Sequence, residues 1–266
     1  MTNALDVAVI VPIFNEQDLL WDMIDELSGH FDRIVGEARW RFVLIENGST
    51  DRTPEIINKI AKKWPLTLTP TMERSDYGAA LRLGLQVSGT PYCHIINIEQ
   101  WDIPFFEWAW HHRKKYDLFL GSKLADPTLN TQSTYRRVLS WGLNSILRLN
   151  FEYVGADTHG PKLLNMKSMN NILDSCIMKR GQFDTEFVLR GVRSGILIAE
   201  APTVYIERRP PRNFMIRKIV QNLWDQYSLF KAVSPLPYSG LTRYHRYARE
   251  DLIAFTGKLP AANSKS

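Results

Sequence analysis

Two short apolar runs end in residues suited to holding a phosphorylated ligand. Val7-Ala8-Val9-Ile10-Val11 leads into Pro12-Ile13-Phe14-Asn15-Glu16, and Phe42-Val43-Leu44-Ile45 leads into Glu46-Asn47-Gly48-Ser49-Thr50-Asp51-Arg52-Thr53. Buried parallel strands read as such β-branched runs. They deliver polar groups to the carboxyl edge of their sheet, where open α/β folds bind ligands. Two deliveries so close together predict a nucleotide site. Later in the chain, Asp184 and Glu186 stand at the start of a predicted helix. Carboxylates there serve as a general base or as an N-cap with first-turn charge. Arg208-Arg209-Pro210-Pro211-Arg212 is either a solvated loop or, with guanidiniums held beside prolines, a rigid anion site.

The elements that must position these groups alternate over the first ~125 residues, the signature of a mostly parallel sheet. Strands are expected at Asp6–Ile13, Arg41–Ile45, Leu66–Thr69, Tyr92–Ile98 and Asp117–Gly121. Helices are expected near Gln17–Leu27, Thr53–Lys62, Gly78–Ser88 and Phe105–Lys115. Beyond them come a long helix over Thr134–Leu149, a turn-rich stretch from Gly155 to Lys162, and helices around Ser168–Met178 and Asp184–Ser194. A strand pair is expected near Ile196–Ala199 and Thr203–Glu207. An amphipathic helix over Phe214–Val233 follows, with Ile216, Ile219, Val220, Leu223, Tyr227 and Phe230 on its packing face. Residues 1–212 thus read as one domain, with a nucleotide-binding half (1–125) and a second half (126–212). A helical extension (213–256) and a disordered tail (257–266) complete the chain.

Composition narrows the class. A hydrophobic fraction of 44% and a charged fraction of 23% are those of an ordinary globular domain. The formal charge of +5 favours anionic partners. Cys93 and Cys176 lie far apart, without metal-like spacing, and read as inert thiols in a reducing cytoplasm. No apolar stretch reaches the ~20 residues that span a bilayer, so membrane contact is expected only from the surface. The tail Arg243-Tyr244-His245-Arg246-Tyr247-Ala248-Arg249 mixes cations with aromatics, too short a run to predict nucleic-acid binding.

Taken in order, these motifs resemble family-two glycosyltransferases with a GT-A fold. Pro12-Ile13-Phe14-Asn15-Glu16 is similar to their P-x-Y-N-E start, Glu46 to Thr53 to their D-D-G-S-T-D-x-T turn, and Tyr77 to Gly84 to their G-Y-G-A-A-L-R-x-G helix start. Asp157-Thr158-His159-Gly160-Pro161-Lys162, Phe183-Asp184-Thr185-Glu186 and the segment from Ala199 to Arg209 resemble the polyprenyl-phosphate sugar synthase (dolichyl-phosphate mannosyltransferase-like) branch. The similarity runs from Val7 to Arg212. It implies an α/β sheet flanked by helices and a transfer, inverting in this family, from a nucleotide-diphosphate sugar to a polyprenyl phosphate, glycan or small acceptor in cell-envelope glycan synthesis.

The resemblance also implies roles, and it makes 126–212 the acceptor half of the domain. Pro12, Phe14, Glu16, Glu46, Gly48, Asp51, Tyr77, Gly78 and Asn97 become nucleotide-sugar contacts. Asp184 and Glu186 become catalytic, and Lys162, Arg208, Arg209 and Arg212 hold the phosphate or acceptor. The family's metal motif, D-x-D, is altered: Asn97 and Glu99 stand in its place. Glu99 is then the remaining metal ligand, for Mg or Mn; because one carboxylate is lost, weak metal binding, metal-independent transfer by basic residues and lost catalysis are all open. Peripheral contact with the cytoplasmic membrane face and a homo-oligomer remain open; nucleic acid is not expected. The competing reading is a catalytically silent GT-A-like protein that binds a nucleotide or a partner glycosyltransferase.

Overall fold

β1 (Val7–Ile13) and β2 (Trp40–Asn47) pair in parallel from Val7 opposite Trp40 to Ile13 opposite Glu46, so both strands reach the same sheet edge together. The computed structural model describes residues 4–98, 100–129, 134–151, 153–204, 215–233 and 243–257. Within them the sheet has the order β3-β2-β1-β4-β6-β5-β7-β8. Its other strands are β3 (Thr71–Met72), β4 (Tyr92–Ile95), β5 (Leu118–Ser122), β6 (Lys162–Asn165), β7 (Leu197–Pro202) and β8 (Arg243–Arg246). Only β6 runs antiparallel, between β4 and β5. The expected mostly parallel α/β sheet, flanked by helices, is therefore the observed one.

Side chains alternate along each strand, and this divides the core into two layers. Val7, Val9 and Val11 of β1 pack with α1 (Leu20–Val35), α2 (Thr53–Lys63) and α4 (Ile103–His112). Ala8 and Ile10 face the opposite layer, with α3 (Tyr77–Val87), α6 (Met166–Ser175) and α7 (Gln182–Arg193). α5 (Thr134–Phe151) also contributes there, through Leu147 and Phe151. Gly84 of α3 is required by this packing, since a Cβ would lie 2.7 Å from the side chains of both Ile10 and Ile45.

Several expectations change. The segment Leu66–Thr69 joins β2 only through Leu68, and Pro70, lacking an N–H, separates that bridge from the strand at Thr71–Met72. β6 begins inside the stretch expected to be all turn, directly after Gly160-Pro161. β7 is one strand ending at Pro202, where a pair was expected; residues 205–207 lie outside the described residues. The stretch expected as a helical extension also supplies a strand, β8, paired in parallel with β7 and followed by α9 (Arg249–Thr256), whose Leu252 is buried. Tyr244 turns from β8 into the core layer, so the basic aromatic run is a sheet edge.

α8 (Met215–Val233) docks by Gln226, Leu229 and Val233, which are buried, whereas Tyr227 and Phe230 of the expected packing face are exposed. Its last carbonyls are capped by arginines of α7: Arg190 Nη2 donates to Ala232 O (3.1 Å) and Arg193 Nη1 to Val233 O (2.8 Å). The side chains of Ile216, Ile219, Val220 and Leu223, and the tail from 258 on, lie outside the described residues. Among the described residues, no helix is long and apolar enough to cross a membrane.

Candidate active site

The loops that leave β1 and β2 are fastened to each other by a ladder of short polar contacts. Asn15 takes a left-handed conformation (φ 55°), which its side chain tolerates. Its N–H donates to Ser49 Oγ (3.0 Å), and its Oδ1 accepts from Thr50 N–H (2.8 Å). Glu16 N–H donates to Thr53 Oγ1 (2.8 Å) and Gln17 N–H to Asp51 Oδ2 (3.3 Å). Glu46 folds back on its own turn and accepts from the N–H groups of Gly48 (3.3 Å) and Ser49 (2.6 Å). Gly48 has φ 74°, a region that favours glycine. Glu46, Gly48 and Asp51 therefore build the rim of the site, Asp51 doing so as an acceptor for Thr53 N–H (2.9 Å) at the start of α2. None of the three lines the cavity.

That cavity, about 400 Å³, opens at the carboxyl edge of β1, β2 and β4. Five of the expected contacts line it: Pro12, Phe14, Glu16, Tyr77 and Asn97. Asn47, Ile98, Gln100, Lys123 and His159 complete the wall. Asn47 Oδ1 accepts from Asp76 N–H (2.9 Å), and Asp76 in turn caps α3 through Ala79 N–H (3.1 Å) and holds Arg180 N–H (2.9 Å). Gly78 serves close approach, not ligand contact: a Cβ would sit 2.6 Å from Arg180 O and 2.7 Å from Phe183 Cβ. The start of α3 is thereby pressed against the start of α7, which carries Asp184.

Behind the cavity wall lies a buried polar chain. The Tyr77 hydroxyl stands 3.1 Å from Asp184 Oδ2 and 3.2 Å from Asn97 Oδ1; its single proton serves one of them at a time. Burial, then the charge of Asp184, pushes the Tyr77 phenol well above its usual range, so it keeps that proton. Lys162 Nζ lies 2.9 Å from Asp184 Oδ1, and both side chains are 0% exposed. The contact is an ion pair rather than an aligned hydrogen bond: among the described residues Asp184 Oδ1 has no aligned donor, while the ammonium also donates to Gly160 O (2.9 Å). β6 makes this possible by carrying Lys162 into the middle of the sheet. Its carbonyl accepts from His94 Nδ1 (3.0 Å), and burial lowers that imidazole to about 3.

Glu186, expected beside Asp184 as a catalytic group, has a different task. Oε2 accepts from Ile177 N–H (2.8 Å) and Met178 N–H (2.7 Å), and Oε1 from Arg190 Nε (2.8 Å). One residue pair at spacing two on a helix points in different directions, so Glu186 anchors the loop before α7 while Asp184 faces the cavity wall. Lys162, expected to hold an acceptor, is likewise committed to Asp184. Arg208, Arg209 and Arg212 lie outside the described residues.

Four wall residues were not assigned from the sequence as contacts: Asn47, Ile98, Gln100 and Lys123. Lys123 is the first residue beyond β5, a position legible from the strand-end rule applied to Leu118–Ser122. His159, whose place in the turn already suggested a ligand contact, has Nδ1 3.0 Å from Thr158 Oγ1, which itself lies 3.1 Å from Thr185 Oγ1. Burial lowers the His159 imidazole, with Asp184 and Asp157 acting against that and Lys162 and Lys123 with it. Gln100 has a buried Nε2 without a hydrogen-bond partner among the described residues. Cys93 and Cys176 are both buried, and burial raises their thiols to about 11 and about 12, the inert state expected.

A divalent cation, implied by the altered D-x-D strand, does not fit the described donor set. Asn97 is neutral and engaged with Tyr77, and Asp184 faces Lys162. Asp102 is spent on Phe105 N–H at the start of α4 (2.9 Å) and on Val204 N–H (2.9 Å). Among the described residues no group of three His, Cys, Asp or Glu could hold a metal ion. Glu99 lies outside the described residues.

Comparison with known proteins agrees with this architecture. Residues 8–97 match the glycosyl transferase family 2 model. A dolichyl-phosphate beta-glucosyltransferase of Trichomonas vaginalis is 25% identical over 213 residues, which cover 76% of this chain and 66% of the relative. The chain thus spans just under two thirds of that protein's length. Among solved structures, glucosyl-3-phosphoglycerate synthase from Mycobacterium tuberculosis, in complex with Mn2+, UDP-glucose and phosphoglyceric acid, superposes with a TM-score of 0.56 at 17% identity, covering 89% of this chain and 82% of the other. A mannosyltransferase from Pyrobaculum calidifontis, in complex with GDP-mannose and Mn2+, gives 0.56 at 16% identity, covering 88% and 70%. At these identities the two structures share the fold.

Proposed function

We propose that this chain, a family-2 glycosyltransferase of GT-A fold, transfers a sugar from a nucleoside-diphosphate donor to a phosphorylated lipid acceptor of the polyprenyl-phosphate class. The donor occupies the cavity at the carboxyl edge of the sheet. Phe14 and Pro12 flank the base, and Asn97 and Tyr77 face the sugar end.

The observation that carries this reading is the Tyr77 bridge from Asn97 on the cavity wall to the buried Lys162–Asp184 pair. A neutral hydroxyl acceptor needs a base to take its proton, and a carboxylate with solvent-free access to the acceptor would be expected for that task. Asp184 is instead paired with an ammonium and fully buried. A phosphate acceptor is already an anion, so it attacks without losing a proton. Asp184, Lys162 and Tyr77 then position the wall against which the sugar lies. Attack by one phosphate oxygen on the anomeric carbon, with departure of the nucleoside diphosphate, is a single displacement and inverts that centre.

The exposed face of α8 supports contact with the membrane that would carry such an acceptor. Trp224, Tyr227 and Phe230 are 65%, 52% and 43% exposed, and Lys231 Nζ lies 4.6 Å from the Tyr227 ring centroid. Aromatic rings with a nearby lysine suit a lipid headgroup layer.

The test is transfer from a panel of UDP- and GDP-sugars to polyprenyl phosphate and, separately, to the unphosphorylated polyprenol, with products identified by mass spectrometry. Glycosyl polyprenyl phosphate of inverted configuration is expected. Transfer to the alcohol alone overturns the acceptor assignment. Saturable donor binding with no turnover favours the silent reading, for which the neutral Asn97 is the supporting observation.

A further inference from the structure

The donor cavity is lined by a neutral residue at the metal strand together with a cation and two uncharged donors. Asn97 sits where the resembling family places its first metal-binding aspartate. The same cavity is lined by Lys123, immediately after β5, by His159, from the turn before β6, and by Gln100, whose backbone pairs with that of Asn97. Lys123 is close enough for its charge to act on His159. Thr158 Oγ1, at 3.0 Å, can donate to His159 Nδ1, which leaves the ring proton on Nε2. Beside Nε2 stands Gly181, the N-cap of α7, where the absence of a side chain leaves room that an added Cβ, 3.9 Å from Nε2, would fill. The third donor, Gln100 Nε2, is a buried amide nitrogen left without a partner, an arrangement that costs stability until an acceptor arrives.

From this juxtaposition we infer that Lys123, assisted by His159 Nε2 and Gln100 Nε2, holds the diphosphate of the donor and receives its leaving-group charge in place of a divalent cation. The inference rests on the donor reading above. In the transfer, the bond from the acceptor phosphate oxygen to the anomeric carbon forms as the bond from that carbon to the β-phosphate oxygen breaks. The electron pair remains on the departing oxygen, and no proton is consumed. A developing oxyanion in a partly enclosed cavity is stabilised by cations and N–H donors already in place, which need not reorganise as charge develops. Lys123 supplies the full charge and the two neutral groups supply direction.

Calorimetric titration of the full chain with UDP, GDP, uridine and guanosine, each in EDTA and in Mn2+, tests the inference without relying on turnover. In EDTA the better diphosphate should bind at least about ten-fold tighter than its nucleoside, the increment expected of a charge-assisted contact. Mn2+ should change that preference less than about two-fold. Lys123→Gln should remove the preference while leaving nucleoside affinity as it was. Because Lys123 is only half-buried, the variant is expected to fold, which its thermal melt checks. A diphosphate preference that requires Mn2+, or that survives Lys123→Gln, overturns the inference and leaves the donor reading standing. Failure of every nucleotide and nucleoside to bind overturns both.

Discussion

The Tyr77 hydroxyl meets Asp184 Oδ2 at 3.1 Å across 107 residues of sequence, and this contact ties the donor-cavity wall to the buried ion pair behind it. Tyr77→Phe removes the hydroxyl and leaves Asp184 Oδ2 buried without that donor. A stability loss of about 1–3 kcal/mol is expected from an orphaned buried acceptor, measured by urea denaturation. Donor turnover should fall with it, since Asn97 loses the same partner.

Lys162 and Asp184 should be inseparable energetically. Replacing one member strands a buried charge, so Lys162→Met or Asp184→Leu should each cost about 3–5 kcal/mol. The double variant removes both charges and should cost clearly less than the sum of the singles. A double-mutant cycle by equilibrium unfolding reads this coupling; additive losses would contradict the pairing.

Gly78 marks the contact between α3 and α7. Gly78→Ala would place a Cβ 2.6 Å from Arg180 O, a backbone atom with no flexible side chain to yield. Overpacking of this kind costs about 1–3 kcal/mol. Because α7 carries Asp184, turnover should fall more than stability alone predicts, whereas Gly29→Ala, with open space around it, should leave turnover unchanged.

His94 gives the protein an acid-sensitive element. Its imidazole is lowered by burial from the ordinary 6.5 to about 3, the hydrogen bond to Lys162 O acting against that. Between these values the unfolded chain binds a proton there that the folded chain does not. Its contribution is therefore full above about pH 6.5 and is lost as pH falls toward 3, at up to about 1.4 kcal/mol per pH unit. Asp102 and Glu200, raised by burial, act in the opposite sense, so the readout is the difference between wild type and His94→Leu. Urea midpoints between about pH 7 and pH 4 should show a shallower decline in the variant.

The parallel half of this fold was legible because its strands are continuous apolar runs with abrupt polar ends, as in Val7–Glu16 and Phe42–Thr53. β6 was not: four residues beginning with a lysine carry no period, and only the sheet explains why Lys162 is buried. β8 was hidden for a related reason, since Arg243 to Arg246 lies at an edge where a strand can be basic. In the site, Pro12, Phe14, Glu16, Tyr77 and Asn97 were named through the motif resemblance, and they line the cavity. Glu46 and Asp51 were read as ligand contacts because their motif was recognisable, yet their acceptors are satisfied by neighbouring backbone N–H groups. Asp184 and Glu186 look equivalent in sequence, and only their partners separate a wall residue from a loop anchor. Lys123 and His159 come from turns whose proximity depends on the antiparallel β6.

The most direct measurement of the central claim is a crystal structure of the protein soaked with the nucleoside diphosphate that binds best. The account predicts density in the cavity between Phe14 and Asn97, with the phosphates against Lys123 and His159. Nucleotide bound elsewhere on the chain, with this cavity unchanged and empty, would contradict it.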